Sequence, residues 1–246
     1  MATSDQVLGR VLKTYDTVES TNDTLKELID EGVPEGTVAV AKRQVTGKGR
    51  HGRAWFSPVG GLYCSVLLEP PEREAAPISL LAGIPVVKAL RHHGVLAYLR
   101  WPNDVHFMEK KIGGILGEGV HRHDRFYAVV GLGINTNIPL PDFPSDLQGE
   151  ATSVQHEEGL VSNEQFLSYL MQQFDSVYRR YRSGTKDVLF KDYRGLCTTI
   201  GKRVQAEVHG RKVVGTAAEV TPRGALVVVD ESGVRHEVVD AGLRYV

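Results

Sequence analysis

Lys42-Arg43-Gln44-Val45-Thr46-Gly47-Lys48-Gly49-Arg50-His51-Gly52-Arg53-Ala54-Trp55 is the stretch on which the choice of fold turns. Gly47-x-Gly49-x-x-Gly52 formally matches a dinucleotide-binding fingerprint, which requires a helix to open at its last glycine. Here Trp55-Phe56-Ser57-Pro58-Val59-Gly60-Gly61 follows instead. That is turn chemistry, so the doubly wound nucleotide fold is set aside. A Walker A loop is excluded too, because its glycine-lysine-hydroxyl ending is absent. What remains is five Lys or Arg within 12 residues, interleaved with three glycines. Such a backbone can approach an anion closely while guanidinium groups surround it. Three uses compete: a nucleic-acid patch with Trp55 as a stacking platform, a mobile loop that orders over a phosphate-bearing small ligand, and a solvated basic loop.

Outward from this stretch the chain reads as alternating elements. Residues 9–16 form a strand, and Ser20-Thr21-Asn22 offers N-cap chemistry before a helix through Asp30, with Leu25, Leu28 and Ile29 at helical spacing. Thr37 to Gln44 and Gly60 to Leu68 are strands. Ser79 can cap a helix that ends before Gly94, which Pro85 bends or delays. Val95 to Trp101, Lys111 to Val120 and Arg125 to Ile134 are β segments, the last two joined by His121-Arg122-His123-Asp124. Residues 138–150 carry Pro139, Pro141 and Pro144 and read as a loop. From Ser162, Phe166, Leu170, Phe174, Val177 and Tyr181 line one helical face, with Ser162 and Gln165 as a capping box. Gly184 ends that helix and a short one follows. After Gly195 the period falls from 3.6 to 2. Val204–Val208, Lys212–Glu219, Ala225–Val229 and Val234–Val239 are short strands, separated by turns at His209-Gly210, Pro222-Arg223-Gly224 and Glu231-Ser232-Gly233. The expected class is therefore α+β, with a mixed domain over 1–195 and a small β-barrel over 196–246.

The 246 residues suit one large domain or one with a small satellite. With 41% apolar and 24% charged residues, an ordinary globular protein is expected. A balance of 29 basic against 30 acidic residues, net −1, speaks against a generally basic nucleic-acid coat. Ala75 to Val87, the longest uncharged helical stretch, is too short for a bilayer and holds Pro77 and Pro85. The N-terminus lacks signal-peptide character, so a cytoplasmic protein with no membrane attachment is expected. Cys64 and Cys197 are the only cysteines and suggest neither a disulfide framework nor a zinc site.

A second signal is Arg100-Trp101-Pro102-Asn103-Asp104, followed by Lys110-Lys111-Ile112-Gly113-Gly114-Ile115-Leu116-Gly117-Glu118-Gly119. Pro102 forces Trp101 to be extended, so Asn103 and Asp104 stand on a turn. A carboxylate there can support hydrated Mg²⁺ on a substrate phosphate; the plainer use is a turn that caps its own backbone. Gly113, Gly114, Gly117 and Gly119 weaken a strand unless something lies close to its backbone, whether a ligand or tight packing. Lys111 is a candidate cation aimed at a carboxylate or phosphate. Gly131-Leu132-Gly133-Ile134-Asn135-Thr136-Asn137 ends a strand with two amides, and Asn135 can offer a donor and an acceptor to a base edge or an amide-like ring. The nine histidines show no metal-ligand spacing, and no Gly-x-Ser-x-Gly elbow occurs. Metal and serine hydrolases are poor fits.

Taken together, these motifs resemble one family, the biotin–protein ligases. Ser20-Thr21-Asn22, the Gln44…Gly47-Lys48-Gly49-Arg50-His51-Gly52-Arg53…Trp55 loop, Trp101-Pro102-Asn103-Asp104, Lys111-Ile112-Gly113-Gly114-Ile115-Leu116 and Gly131-x-Gly133-Ile134-Asn135 stand in the family's order. Lys48 stands where many members have Arg, often with Arg at the place of His51. Lys keeps the charge but loses the bidentate fork. Arg100 replaces the family's Lys. The resemblance implies a catalytic domain akin to class II aminoacyl-tRNA synthetases and an SH3-like C-terminal domain. It also implies a short form: the Ser-Thr-Asn motif starts at residue 20, leaving no room for the winged-helix domain of some members, so phosphate rather than DNA explains the basic loop.

The implied reaction is attack of biotin's carboxylate on the α-phosphate of MgATP, giving biotinyl-5′-AMP and pyrophosphate. A lysine amine of a biotin carboxyl carrier protein then displaces AMP. Anion meets anion, so the work falls to clustered cations and metal rather than a covalent nucleophile. On this resemblance Arg50 and Lys111 hold the carboxylate and α-phosphate, and Asp104 supports Mg²⁺. Ser20, Thr21, Asn22 and Gln44 read or frame the uncharged ureido ring, covered by the backbone of Gly47, Lys48, Gly49 and Arg50. Trp55 and Gly114 flank the ligand's apolar body, and Asn135 meets adenine. An exposed strand could support a homodimer. The competing classes are a lipoate ligase and a nucleic-acid binder using residues 42–55 and the barrel.

Overall fold

Period-2 burial organises the larger of two sheets in the computed structural model, which describes residues 6–71, 73–208, 210–239 and 242–246. Met1–Asp5 and His209, half of one expected turn, lie outside the described residues. The sheet is built from β1 (Leu12–Val18), β2 (Val38–Gln44), β3 (Leu62–Leu68), β4 (Tyr98–Arg100), β5 (Asp104–Phe107), β6 (Lys110–Arg122) and β7 (Arg125–Ile134). Its order is β1-β2-β3-β7-β6-β5-β4. Only β1 and β2 pair in parallel; the other neighbours are antiparallel, so the sheet is mixed.

Helices cover both faces. On one side α1 (Thr21–Asp30) packs Leu25, Leu28 and Ile29 against Ala39, Leu67, Val120 and Val129. On the other, α2 (Ala76–Leu81), α3 (Gly83–His92), α5 (Asn163–Arg182) and α6 (Lys186–Leu196) pack on Val38, Leu62, Cys64, Val66 and Leu68. A short α4 (Val154–Glu158) follows the proline-rich segment. Strand β3 is buried throughout, and its alternation sends Leu67 to the α1 face and Val66 and Leu68 to the opposite one.

That alternation places a polar groove. In register across the α1 face lie the rows Leu67–Val129–Glu118, Ser65–Gly131–Leu116 and Tyr63–Gly133–Gly114. The first row supports the helix, whereas the next two present glycines beside its N-terminal end and leave space there.

The C-terminal region forms β8 (Arg203–Val208), β9 (Arg211–Val220), β10 (Leu226–Asp230), β11 (Arg235–Val238) and β12 (Arg244–Tyr245), ordered β11-β10-β9-β8-β12 and antiparallel throughout. Strand β11 also approaches β8, so the sheet curls back on itself.

Several expectations shift. Ser79 does not cap: it lies inside α2, where its hydroxyl donates to the Ala75 carbonyl at 2.5 Å. The single helix expected there is two, and Pro85, lacking an N–H, sits in the first turn of α3. The strand expected over Val95 to Trp101 contracts to β4, while β5, α4 and β12 were not legible because each is short. The turn between β6 and β7 narrows to His123-Asp124, both at positive φ (49° and 60°), the geometry of a two-residue hairpin. Ser162 does accept from the Gln165 amide at 3.3 Å at the start of α5.

Candidate active site

Ser20 holds the N-cap position of α1 with an extended backbone (φ −154°) but forms no side-chain cap bond. Thr21 follows with both its N–H and its hydroxyl on Gln44 Oε1, at 2.8 and 3.1 Å. Gln44 Nε2 donates to Ser57 Oγ at 2.9 Å. Ser65 Oγ lies 2.7 Å from Thr21 Oγ1 and 2.6 Å from Asn22 Oδ1. Asn22 Nδ2 donates to Glu118 Oε2 at 2.6 Å, which fixes the amide's orientation. Since Asn22 Oδ1 can only accept, Ser65's one proton belongs there. The result is a largely buried lattice of neutral donors and acceptors at one end of the sheet, closed by the Glu118 carboxylate, and Ser20, Thr21, Asn22, Gln44, Lys48, Trp55 and Gly114 line the groove over it.

The glycines have a physical account. A Cβ on Gly133 would stand 2.4 Å from Trp55 Nε1, and one on Gly114 would be 3.0 Å from the same indole. One on Gly131 would meet Asn22 Oδ1 at 2.3 Å. Of the two readings open from sequence, tight packing accounts for these close approaches: Trp55 lies flat on the strands and walls the groove. Its buried Nε1 has no hydrogen-bond partner.

The basic stretch is a small hairpin. Gly49 N donates to the Arg53 carbonyl at 2.7 Å, Trp55 N to Gly47 at 2.8 Å, and Lys48 bridges to Ala54. Arg50–Gly52 make a 3₁₀ turn in which His51 takes the left-handed conformation (φ 56°), as does Gly52 (φ 72°). Residues 45–54 line a cleft with Leu116, Gly117 and Glu118, which brings Gly47, Lys48, Gly49 and Arg50 alongside the groove. The Lys48 ammonium itself lies 2.5 Å from Asp23 Oδ2.

Arg50 also lines a neighbouring cavity with Arg53, Arg100, Asp104, His106, Lys111 and Tyr245. Lys111 Nζ is 2.5 Å from Asp104 Oδ1 and sits 5.2 Å over the Trp55 ring, so the two spaces meet at that indole. Burial pushes the Asp104 carboxyl up, but the His106 and Lys111 groups beside it outweigh burial and hold it below the ordinary carboxylate value. Asp104 is the one carboxylate among the described residues lining this cavity, and none of those residues form a cluster of three metal-ligating groups. Such a donor set fits Mg²⁺ that arrives on a triphosphate, held by one carboxylate and otherwise by phosphate and water.

Asn135 is placed differently from the rest. It lines none of these three cavities, is 4% exposed, and donates from Nδ2 to the Thr152 carbonyl at 3.0 Å. Ser57, Ser65, Asp23, Glu118 and His106 were missed. Ser65 carried a legible signal, a hydroxyl in a strand otherwise apolar or aromatic, and Glu118 stands between two glycines.

Comparison with known proteins fits this arrangement. Residues 15–135 match the biotin/lipoate A/B protein ligase family, and residues 199–242 match the biotin protein ligase C-terminal domain. The bifunctional ligase/repressor BirA of Bacillus subtilis is 30% identical over 94% of this chain and 73% of its own length. This chain belongs to the biotin protein ligase family. The biotin–[acetyl-CoA-carboxylase] ligase of Mycobacterium tuberculosis is 29% identical across 97% of the chain and 91% of its own. Among solved structures, the Aquifex aeolicus biotin protein ligase in complex with biotin and ATP superposes with a TM-score of 0.84. That match has 29% identity and covers 96% of this ligase and all of that chain. The fold class expected from sequence, a mixed-sheet domain followed by a small all-β one, is the fold of this family.

Proposed function

We propose that this ligase activates biotin as biotinyl-5′-AMP in the groove and cavity described above, releases pyrophosphate, and passes biotin to a lysine of a biotin carboxyl carrier protein. The observation that carries the assignment is the junction at Trp55: a groove of neutral donors and acceptors from Thr21, Asn22 and Gln44 on one side, its single basic lining residue Lys48 paired with Asp23, and four basic side chains, Arg50, Arg53, Arg100 and Lys111, on the other. A ligand with a neutral polar ring, an apolar tail and a terminal carboxylate matches that sequence of surfaces. Thr21, Asn22 and Gln44, held by Ser57 and Ser65, hydrogen-bond the ureido ring. The backbone of Gly47 to Arg50 covers it, Trp55 and Gly114 flank the tail, and Ser20 closes the end. Arg50 and Lys111 bring the carboxylate to the α-phosphate. As the new C–O–P linkage forms, the bond to pyrophosphate breaks, and the same cations carry the charge that develops. Asp104 holds the Lys111 ammonium in place and is the protein carboxylate that would hold Mg²⁺. When bound, Mg²⁺ neutralises phosphate charge. Asn135 serves adenine through the segment it braces at Thr152.

The unit 1–195 forms this site and 196–246 the SH3-like domain, whose Tyr245 and Leu243 also line the cavity. Net charge near zero and a basic loop folded against the groove support phosphate over DNA as its partner. Among the described residues no helix is long and apolar enough to cross a membrane. We place the enzyme in the cytoplasm with its carrier. The exposed edge strand β1 is a surface suited to a homodimer. Incubation with biotin, MgATP and an apo carrier domain, followed by intact mass, tests the assignment. One biotinyl addition on one lysine is expected; an unmodified carrier alongside folded enzyme would refute it.

A further inference from the structure

The basic hairpin is tied to the groove floor by a chain of charges that the reaction itself does not need. Lys48 Nζ lies 2.5 Å from Asp23 Oδ2, and the other Asp23 oxygen is 3.3 Å from Lys26 Nζ. Lys26 is also 2.7 Å from Glu118 Oε1, and Glu118 Oε2 accepts from Asn22 Nδ2 at 2.6 Å. Three elements are joined in this way: the loop through Lys48, helix α1 through Asn22, Asp23 and Lys26, and β6 through Glu118. None of these groups is more than half exposed, with Lys48 at 46% and the carboxylates at 30%. Burial pushes the Asp23 carboxyl up, but Lys48 and Lys26 outweigh it and keep it ionised.

We infer that Asp23 and Glu118 are positioning residues: they form an electrostatic latch that holds the 47–54 hairpin over the groove through Lys48, retaining the activated acid until the acceptor arrives. This rests on the ligase reading above. Lys48 explains why the latch takes this form. A lysine is a compact point charge that needs only a carboxylate within reach, and Asp23, in the first turn of α1, supplies it. Once Lys48 is spent on Asp23, contact with the ligand falls to the backbone of the hairpin and to Arg50. Asn22, which touches the groove, is the end of the same chain, so filling the groove orders the floor to which the loop is tied. Closure of this kind keeps water from a mixed anhydride.

The test uses the full chain loaded with biotin and MgATP. Asp23→Ala is compared with wild type, with Asp23→Glu, and with Glu231→Ala, which removes a distant surface pair with Arg203. The retained adenylate is followed after rapid gel filtration, and tryptic cleavage at residues 48–53 is followed without substrates. Asp23→Ala should lose the adenylate and be cut in the loop about three- to tenfold faster. The KM for biotin should rise by more than kcat of exchange falls. Asp23→Glu should recover most of both, and Glu231→Ala should match wild type. Raising salt from about 0.05 to 0.5 M should speed loss from the wild type and not from Asp23→Ala. Equal loss and equal cleavage in wild type and Asp23→Ala would overturn the latch. Because loop cleavage requires no biotin chemistry, it judges the latch separately from the exchange assay that judges the ligase reading.

Discussion

Arg50 and Lys111 meet the same problem from two sides, one on a glycine-bounded hairpin and the other at the start of β6. In the proposed reaction each supplies charge where a carboxylate must approach a phosphate. Replacing either with Ala should cost about 2.7–4 kcal/mol of transition-state stabilisation, or about 10²–10³ in the adenylation rate, with the melting temperature little changed. Stopped-flow pyrophosphate release checks both. Gly133→Ala tests the close approach of Trp55: a Cβ 2.4 Å from Nε1 must displace the indole, so the KM for biotin should rise severalfold, read by titrating biotin in steady state. Much of the site was legible at this scale. Arg50 and Lys111 stood out because charge among glycines is unusual in a short window, whereas the role of Gln44, the last residue of β2, came only with the family resemblance. Asp23 and Glu118 did not, since the contacts to Lys48 and Asn22 that give them a place in the site lie far off in the chain; Ser65 showed only as a hydroxyl in an otherwise apolar strand, and its contact with Asn22 spans 43 residues. No local pattern encodes such a contact. Asn135 looked like a ligand contact because an amide at a strand end reads alike whether it faces a ligand or braces a loop.

Helix α1 and the hairpin act as one unit through Asp23. The depressed Asp23 carboxyl gives its contribution to folding a definite pH dependence. A group whose folded pKa lies below its ordinary value of 3.8 stabilises above that value and loses the effect as pH falls through the lowered one. The difference in thermal stability between wild type and Asp23→Asn should therefore be constant from pH 8 to about 5 and vanish only below the ordinary carboxylate range. Its size should be no more than about 1 kcal/mol, because the pair is partly solvated. Thermal melts across that range check it. Helix α5 gives a contrast: Leu170 is fully buried, and Leu170→Ala should cost about 2–5 kcal/mol without moving the KM for biotin. Long periodic elements such as α5 and β7 matched their expected bounds closely, whereas α2 and α3 were read as one helix. Hydrophobic spacing continues across the break at Ala82, and only the missing N–H of Pro85 marks it.

Across the whole molecule, the two sheets are joined where the Trp101-Pro102-Asn103-Asp104 segment leaves β4. Trp101 N donates to Thr199 Oγ1 at 3.0 Å, Thr199 meets Tyr245 Oη at 2.8 Å, and the Trp101 indole donates to the Gly224 carbonyl at 3.0 Å. The C-terminal sheet thus holds the turn that presents Asp104. Thr199→Val should leave the buried Trp101 N–H unpaired, cost about 1–3 kcal/mol in chemical denaturation, and slow adenylation with it. That seam was invisible in the sequence: both modules could be read from their periods, but docking depends on hydrogen bonds between residues about a hundred positions apart. The account depends most on which acid these surfaces select. Pyrophosphate–ATP exchange by the purified chain with Mg²⁺, run with biotin, with lipoate and with neither, asks this directly. Exchange with biotin alone is expected; exchange with lipoate instead, or with neither acid from folded protein, would contradict the account.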